Sequence, residues 1–506
     1  MSSRTAKAGK NFASSTMYNI TSSILSFISR TVFIYFLGNS YLGVNGLFTN
    51  VLGMLSLAEL GIGSAITFSL YKPLAQKDDK KIQALINFYK KAYRIVALVV
   101  TVIGVSIIPF LRFIINGVDD VNNIVLIYCI FLFNTVSSYF ITYKTTLLNA
   151  DQKEYYINNV NTISKLIITI FQILAIIICR NYIVYLVVEA IFQLISKVFL
   201  NRRVNKLYPN IMKKNSEQLS KEDKKTIVTK IKALLFHKVG EVSIYQTDNI
   251  ITSIFVSTGV VGLVSNFTLI INLVNKFIAS FFNSAIAGLG NIIAVESKER
   301  QVEISEAYDF LGFCFFGWST ICLYFLLTPF VTLWIGKGNL IDSVTIALLC
   351  INFYLTGVRV ALSNVKSAAG LYEQDKWVPI IQAIVNIVVS IICAKYMGLV
   401  GIYIGTFVSN IIPNIVRPII VYKHVFKKSS ESYFKQYFIR ILLILGLILI
   451  CSYIYSVFNL KNLIIELIIK ALISSITFVI TIYLLYRNSG EMKYLINMFK
   501  KKLLKR

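Results

Sequence analysis

Residues 41–70 read YLGVNGLFTNVLGMLSLAELGIGSAITFSL and contain a single charged side chain, Glu59. An α-helix rises about 1.5 Å per residue, so about 20 apolar residues cross the roughly 30 Å of hydrocarbon in a bilayer. Comparable runs recur from end to end of the 506-residue chain, which is 56% hydrophobic and has a mean hydropathy of +0.68. A soluble globular fold does not bury that much apolar sequence, and we predict an all-α integral membrane protein.

The apolar runs predict about 14 transmembrane helices, arranged as two six-helix lobes and two additional C-terminal helices. We place the N-terminal lobe at 1–206, a basic cytoplasmic linker at 207–230, the second lobe at 231–425, and the last two helices with a basic tail at 426–506. A faint internal repeat supports two parallel lobes. In this repeat, Phe36, Gly43, Phe48 and Thr49 recur as Phe255, Gly262, Phe267 and Thr268. The spans used below are expected at about 12–37, 44–70, 232–256, 304–335 and 433–456.

The formal net charge of +27 comes from 51 Lys and Arg against 24 Asp and Glu. In a soluble protein this excess would suggest nucleic acid binding, but here the basic residues concentrate in alternate polar segments. Lys72–Arg94 and Arg202–Lys238 are basic, whereas Gly38–Gly43 and Met397–Gly401 carry no charge. The positive-inside rule then predicts a multi-pass membrane protein with both termini cytoplasmic and no nucleic acid partner.

Cationic residues within the predicted spans are the candidate substrate-binding residues, because a charge facing lipid at mid-membrane would cost about 2.5–3.5 kcal/mol. They are Arg30, Lys276, Arg359, Lys165 and Arg417. Asn19, Ser23 and Ser26 share one helical stripe with Arg30. Such polar stripes either line a hydrated cavity or hold neighbouring helices together by hydrogen bonds. Because acids are fewer at mid-span, a cavity would be positive and would suit a phosphate or pyrophosphate group.

Carboxylates within the spans are candidates to bind a coupling cation, since intramembrane acids commonly serve as proton or sodium sites. We assign this role to Asp248, Glu59 and Glu241 and expect no other cofactor. Glu466 and Lys470 have the i, i+4 spacing of a structural ion pair. The seven cysteines and two histidines lack metal-ligand spacing, so no metal site is predicted. Nucleotide-binding, zinc-protease and nucleophile-elbow motifs are missing, which predicts a transporter without catalytic residues.

Several segments spread over nearly the whole chain carry a family resemblance: Tyr41–Asn50, Leu57–Ile66, Ser69–Ala75, Lys90–Arg94, Gly259–Gly262 and Gly398–Gly405. In these segments the chain resembles the Wzx-like flippases of capsule and O-antigen repeat units. Those flippases are the polysaccharide transporter branch of the multidrug/oligosaccharidyl-lipid/polysaccharide (MOP) exporter superfamily, which also contains the MATE transporters.

The resemblance implies a MATE-like fold in which two six-helix lobes alternate access around a central cavity. It implies that undecaprenyl-pyrophosphate-linked oligosaccharide moves from the cytoplasmic to the outer leaflet of the bacterial plasma (inner) membrane for polysaccharide export. Arg30 is the position that fits the cavity arginine found on the first span of a lobe in related lipid II flippases. The expected partners are this polyprenyl-pyrophosphate oligosaccharide and membrane lipids, with a polysaccharide polymerase and glycosyltransferases as further candidates.

Two alternatives remain open from the sequence. A cation-coupled multidrug exporter of the same superfamily would share the fold, but its cavity should favour carboxylates over arginines. A membrane saccharide polymerase or ligase acting on the same lipid carrier would be expected to have a large outer loop. The predicted outer loops are all short.

Overall fold

The computed structural model describes residues 4–59, 62–213, 217–458 and 462–503, without the side chains of 4–8, 58, 64, 230, 232–245, 287, 499 and 501–503. The described residues form helices and no strand, so the predicted all-α class is confirmed. The chain divides into two compact units, Met1–Gly262 and Leu263–Arg506. We call these the first unit and the second unit.

The helices of the first unit are long and are joined by short connections. Short 3₁₀ segments lie at Ser56–Glu59 and Ile108–Phe110. The α-helices are α1 (Arg4–Leu55), α2 (Ile62–Gln76), α3 (Asp79–Ile107), α4 (Leu111–Ile114), α5 (Ile124–Ala150), α6 (Glu154–Cys179), α7 (Tyr182–Leu207), α8 (Pro209–Met212) and α9 (Lys221–Phe255).

Helix α1 is bent at Gly38, where φ is 80° and ψ is −176°. Glycine adopts this conformation at little cost because it has no Cβ atom. The loop expected between the spans at 12–37 and 44–70 is therefore a bend within one helix. The second of these spans continues through the 3₁₀ turn at Ser56–Glu59 and is taken up again by α2.

Gly43 and Gly262, which occupy matching positions in the predicted repeat, lie against each other. A Cβ atom on Gly43 would be 1.9 Å from the Thr258 carbonyl oxygen, and one on Gly262 would be 2.2 Å from the Asn39 carbonyl oxygen. The two helix backbones are thus in direct contact, an approach that small residues permit in membrane bundles.

The first unit is held together by α1 packing along α6, α6 along α7, and α3 along α5. The buried rings of Phe48 and Tyr128 meet edge to face at 5.1 Å. Large apolar side chains also cover the outside, with Tyr35 83% and Phe113 77% exposed. Exposed apolar surface on this scale would be unstable in water and suits the hydrocarbon of a bilayer.

The second unit begins within α10. It contains a 3₁₀ segment at Lys337–Asn339 and a π-helical turn at Tyr422–Phe426. Its α-helices are α10 (Thr258–Asn283), α11 (Ile286–Val295), α12 (Lys298–Ile335), α13 (Ser343–Val358), α14 (Val360–Ala368), α15 (Val378–Met397), α16 (Leu399–Val421), α17 (Glu431–Val457), α18 (Leu463–Tyr486) and α19 (Gly490–Leu503).

Helices α15 and α16 form the closest pair of the second unit. A Cβ atom on Gly401 would lie 2.2 Å from the Cys393 carbonyl oxygen, and one on Gly405 would lie 2.1 Å from the Ser390 hydroxyl oxygen. These two small residues let the backbones of the two helices approach closely. The C-terminal helices α17 and α18 pack on α12.

Twelve helices in the described part of the chain are long and apolar enough to cross a membrane. The count of about 14 differs at two places: the first two predicted spans share α1, and the span at 232–256 lies in α9, which is not among the twelve. The predicted linker at 207–230 contains α8 and the start of α9. The compact first unit runs on to Gly262, and the lobe boundaries at 206 and 231 stay a prediction.

Candidate functional site

Arg30 is half-buried on the face of α1 that meets α7. Phe33, nearly one turn further along α1, packs edge-on against the rings of Tyr182 and Tyr185 at 5.5 and 5.4 Å. The Arg30 guanidinium lies close enough to the Tyr185 phenol for the two groups to interact electrostatically. The predicted polar stripe of α1 thus points its cation towards α7 rather than towards lipid.

Glu189 on α7 is the acid that the described contacts bring to this region. Gln172 Nε2 donates a hydrogen bond to its Oε2 at 3.1 Å, and Gln193 Nε2 donates one to its Oε1 at 2.9 Å. The Glu189 carboxylate also interacts electrostatically with the ammonium groups of Lys165 and Lys197. Its side chain therefore anchors a polar layer between α6 and α7.

Lys197 is held on the α5 side of the same layer. Its Nζ donates to the Ser137 hydroxyl at 2.9 Å and to the Asn134 carbonyl oxygen at 3.1 Å. Arg30, Lys165, Lys197 and Glu189, joined through Tyr185, make up what we call the first-unit cation cluster. Three cations and one carboxylate leave this cluster with a positive excess within membrane-embedded helices.

Arg359, at the junction of α13 and α14, ends a network of buried amides. Its Nη1 donates to Asn410 Oδ1 at 3.2 Å, and Gln382 Nε2 donates to the same oxygen at 3.1 Å. Asn410 Nδ2 in turn donates to Asn352 Oδ1 at 3.0 Å. These bonds join α13, α15 and α16. At this place the asparagines hold neighbouring helices together by hydrogen bonds, and Arg359 is part of the same network.

Arg417 and Lys366 share the buried carboxylate of Asp375, which lies in the connection between α14 and α15. Lys366 Nζ pairs directly with Asp375 Oδ2, and Arg417 Nε lies 3.4 Å from the same oxygen. Arg417 Nη1 also donates to the Ser363 hydroxyl at 3.4 Å. Arg417 thus shares an acidic partner with Lys366 inside the protein, and its predicted contact with substrate stays a prediction.

Lys276 has different surroundings from the other candidate cations. It is exposed on α10, and no carboxylate pairs with it among the described side chains. An exposed lysine on a membrane helix can extend its ammonium towards a water-filled space or the lipid headgroups. Lys276 is therefore available to a ligand, and its role also stays a prediction.

Of the three candidate coupling carboxylates, Glu59 ends the 3₁₀ turn at Ser56–Glu59, whereas Asp248 and Glu241 both belong to α9. Tyr93 Oη donates to Glu59 Oε1 at 2.9 Å, so this half-buried carboxylate is bonded to α3. Asp248 is half-buried on α9, and its carbonyl oxygen accepts a bond from the Thr252 hydroxyl at 2.7 Å. The side chain of Glu241 lies outside the described residues. In the described part of the chain, no three His, Cys, Asp or Glu side chains group to hold a metal ion.

Sequence reasoning missed a second buried ion pair. Arg440 Nη1 of α17 donates to Asp309 Oδ2 of α12 at 2.6 Å, and both side chains are almost inaccessible. The Arg440 guanidinium also lies over the rings of Phe310 and Phe313, 5.7 and 5.2 Å from their centroids. The signal that could have found this pair is the position of Arg440 along its helix. Helix α17 begins at Glu431, which places Arg440 roughly 13 Å from the start of the helix. The predicted Glu466–Lys470 pair is present at 2.6 Å.

Comparison with known proteins connects this fold to membrane transporters. No protein-family profile and no curated protein sequence matches the chain. Its structure is similar to that of the lipid II flippase MurJ in an inward closed conformation, with a TM-score of 0.67 at 16% identity over 94% of this chain and 98% of that one.

Two MATE structures are also similar. An inward-facing multidrug resistance MATE transporter of the MOP superfamily matches with a TM-score of 0.59 at 14% identity, over 78% of this chain and 92% of that one. A point mutant of the Vibrio cholerae MATE transporter VcmN matches with a TM-score of 0.58 at 13% identity, over 84% and 98%. The chain is therefore a multi-pass membrane protein with the fold of the MOP superfamily transporters.

Proposed function

We propose that this chain is a flippase that moves an anionic lipid-linked saccharide, undecaprenyl-pyrophosphate oligosaccharide, from the cytoplasmic to the outer leaflet by alternating access. The observation that carries the proposal is the positive excess of the first-unit cation cluster. A cation at mid-membrane is costly and tends to be retained for function. Guanidinium and ammonium groups bind phosphate oxygens through charge-assisted hydrogen bonds.

The fold is consistent with this activity, because a lipid II flippase is among the structures that resemble the chain over most of its length. In our proposal the protein lies in the plasma membrane with both termini cytoplasmic, as the charge pattern predicts. The flipped saccharide would serve capsule or O-antigen synthesis. Glycosyltransferases would supply this cargo, and a polysaccharide polymerase would consume it.

Energy for transport would come from a cation gradient. Intramembrane carboxylates commonly bind protons or sodium, and we assign this role to Glu59, in the 3₁₀ turn before α2, and to Asp248 and Glu241 of α9. In the proposed mechanism, the cation occupies a carboxylate in one conformation and leaves in the other. The differential affinity of the two conformations for the cation would then shift their populations.

Flipping in proteoliposomes tests the proposal. Fluorescent undecaprenyl-pyrophosphate oligosaccharide is incorporated into both leaflets, and an impermeant quencher reports the fraction that reaches the outer leaflet. We expect wild-type protein to increase the quenched fraction, and Arg30→Gln to lower the initial rate about tenfold, since a charge-assisted hydrogen bond is worth about 1.5–3 kcal/mol.

Arg112→Gln is the matched control, because Arg112 is exposed on α4 outside the cluster and its loss removes the same charge. It should flip at close to the wild-type rate. Parallel vesicles loaded with a cationic drug test the multidrug alternative. Drug movement without any flipping of the saccharide lipid would contradict our proposal.

A further inference from the structure

A second basic site lies in the first unit, apart from the residues discussed so far. A cavity of about 300 Å³ opens between α3, α5 and α7. Lys90 and Arg94 of α3 and Lys144 of α5 contribute its cations, and Asn201 of α7 lies beside them. The charge pattern of the chain places this end of the three helices on the cytoplasmic side.

The charge of this cavity is not balanced by the protein. No carboxylate lines it, and none pairs with Lys90, Arg94 or Lys144 among the described residues. The ammonium groups of Lys90 and Lys144 lie close enough to repel each other electrostatically. Like charges gathered without a counter-charge favour an anion that reaches all of them.

Lys144 is held in place before any ligand arrives. Its Nζ donates to Asn201 Oδ1 at 2.5 Å and to Asn205 Oδ1 at 2.7 Å, and it lies 5.9 Å from the centroid of the Tyr143 ring. An ammonium group has three donors. Two are therefore used to fix the side chain, and the third remains for a ligand oxygen.

The surroundings of the cavity are apolar on the outer side. Phe140 lines it and is 55% exposed, and Ile141 lies next to it. A basic pocket between transmembrane helices at the cytoplasmic surface is suited to the phosphate of an anionic lipid, whose chains can lie on the adjacent apolar helix faces. A soluble anion would gain nothing from this apolar border.

We propose that the cavity between α3, α5 and α7 binds the phosphate of an anionic bilayer phospholipid through Lys90, Arg94 and Lys144. This inference does not depend on the proposed cargo, because it rests on different side chains. The headgroup of this lipid would contact three helices of the first unit, and the lipid would stay bound as a structural lipid.

Native mass spectrometry of the detergent-purified full chain tests the site. The protein is mixed with equal concentrations of phosphatidylglycerol and phosphatidylcholine, and adducts are counted by mass. We expect wild type to retain phosphatidylglycerol in preference. The exposed pair Lys90→Gln/Arg94→Gln should lower the affinity for phosphatidylglycerol about thirtyfold, since each of the two basic residues near an anionic lipid is worth about 1 kcal/mol.

Lys80→Gln/Lys91→Gln is the matched control, because both lysines are exposed on α3 and neither lines the cavity. It should keep the wild-type adducts, and Lys144→Arg, which keeps the charge, should keep most of them. Equal loss in the control and the cavity variant would overturn the proposal. Parallel samples with inorganic phosphate or undecaprenyl pyrophosphate distinguish the source: preferential retention of either one over phosphatidylglycerol would also overturn it.

Discussion

The two units differ in how their cations meet buried carboxylates. In the second unit, Arg440 pairs with Asp309, and Arg417 and Lys366 share Asp375. Arg359 is bonded to a buried amide instead, and Lys276 is exposed.

The first-unit cation cluster has three cations and one carboxylate, Glu189, which interacts electrostatically with Lys165 and Lys197. Arg30 interacts with the Tyr185 phenol, and Lys197 also donates to a hydroxyl and a carbonyl oxygen.

This difference separates two roles that look the same in a list of charged residues. A buried ion pair joins helices, and removing one partner leaves an uncompensated charge. A cluster with an excess of positive charge destabilises the protein when no ligand is bound. A bound anion offsets this free-energy cost. Removing a charged residue from an ion pair of the second unit should therefore mainly lower stability. Removing a cation from the first-unit cation cluster should mainly weaken ligand binding.

The largest expected effect on stability is that of Asp309→Leu, which leaves Arg440 buried without its partner. We expect a loss of about 3–5 kcal/mol in the free energy of unfolding, measured by reversible denaturation in detergent. The double variant Asp309→Leu/Arg440→Met should recover most of that loss. Equal stability of the single variant and wild type would mean that the pair does not join α12 to α17.

Arg417→Gln should have an intermediate effect. It removes one of two cations on Asp375, while Lys366 still pairs with the carboxylate. The expected loss is about 1–3 kcal/mol, because a charged hydrogen-bonding partner of a buried acid is removed. Thermal unfolding would show it as a smaller decrease in melting temperature than that of Asp375→Asn, which leaves both cations without their acid. The opposite order would show that Arg417 stabilises this connection mainly through contacts other than Asp375, such as its bond to the Ser363 hydroxyl.

Arg30→Gln should change the unfolding free energy by less than about 1 kcal/mol, since it removes one charge from a cluster with a positive excess. The same variant should weaken binding of the anionic lipid, so its effects on stability and ligand binding diverge. A stability loss comparable to that of Asp309→Leu would place Arg30 among the structural cations and remove the contrast between the units.

The smallest effect should come from the exposed pair Arg300–Glu303, 2.5 Å apart at the start of α12. Exposed ion pairs typically contribute about 0.2–1 kcal/mol. Glu303→Gln should therefore lie within that range by the same unfolding measurement. Glu303→Gln thus gives the stability loss expected when an exposed charge is removed. A loss as large as that of Arg417→Gln would mean that burial of the ion pairs does not explain their effect on stability.

The sequence predicts the fold class well because a bilayer imposes a simple rule of length and apolarity on each span. Details that depend on backbone conformation were harder to predict. The uncharged stretch at Gly38–Gly43 suggested a loop, but a single left-handed glycine bends α1 without ending it. The span at 232–256 is part of the longer α9, which begins in the basic segment at Lys221.

The candidate site was predictable only residue by residue. Helical spacing placed Arg30 on a polar stripe, but it did not show that Tyr185 of α7 meets that stripe, because packing partners are set by long-range contacts. Arg440 falls within the span expected at about 433–456 but was not among the candidate cations. Its partner Asp309 was missed because the sequence does not show which helices pack together.

Binding of polyprenyl-pyrophosphate saccharide by native mass spectrometry, compared between Arg30→Gln and Arg417→Gln, tests the central claim most directly. Both variants lose one guanidinium from a membrane helix, and both are measured as folded protein at a temperature below their melting points. We predict that Arg30→Gln loses about tenfold in bound lipid while Arg417→Gln retains nearly all of it. Equal binding by Arg30→Gln and wild type, or a loss confined to Arg417→Gln, would contradict the account.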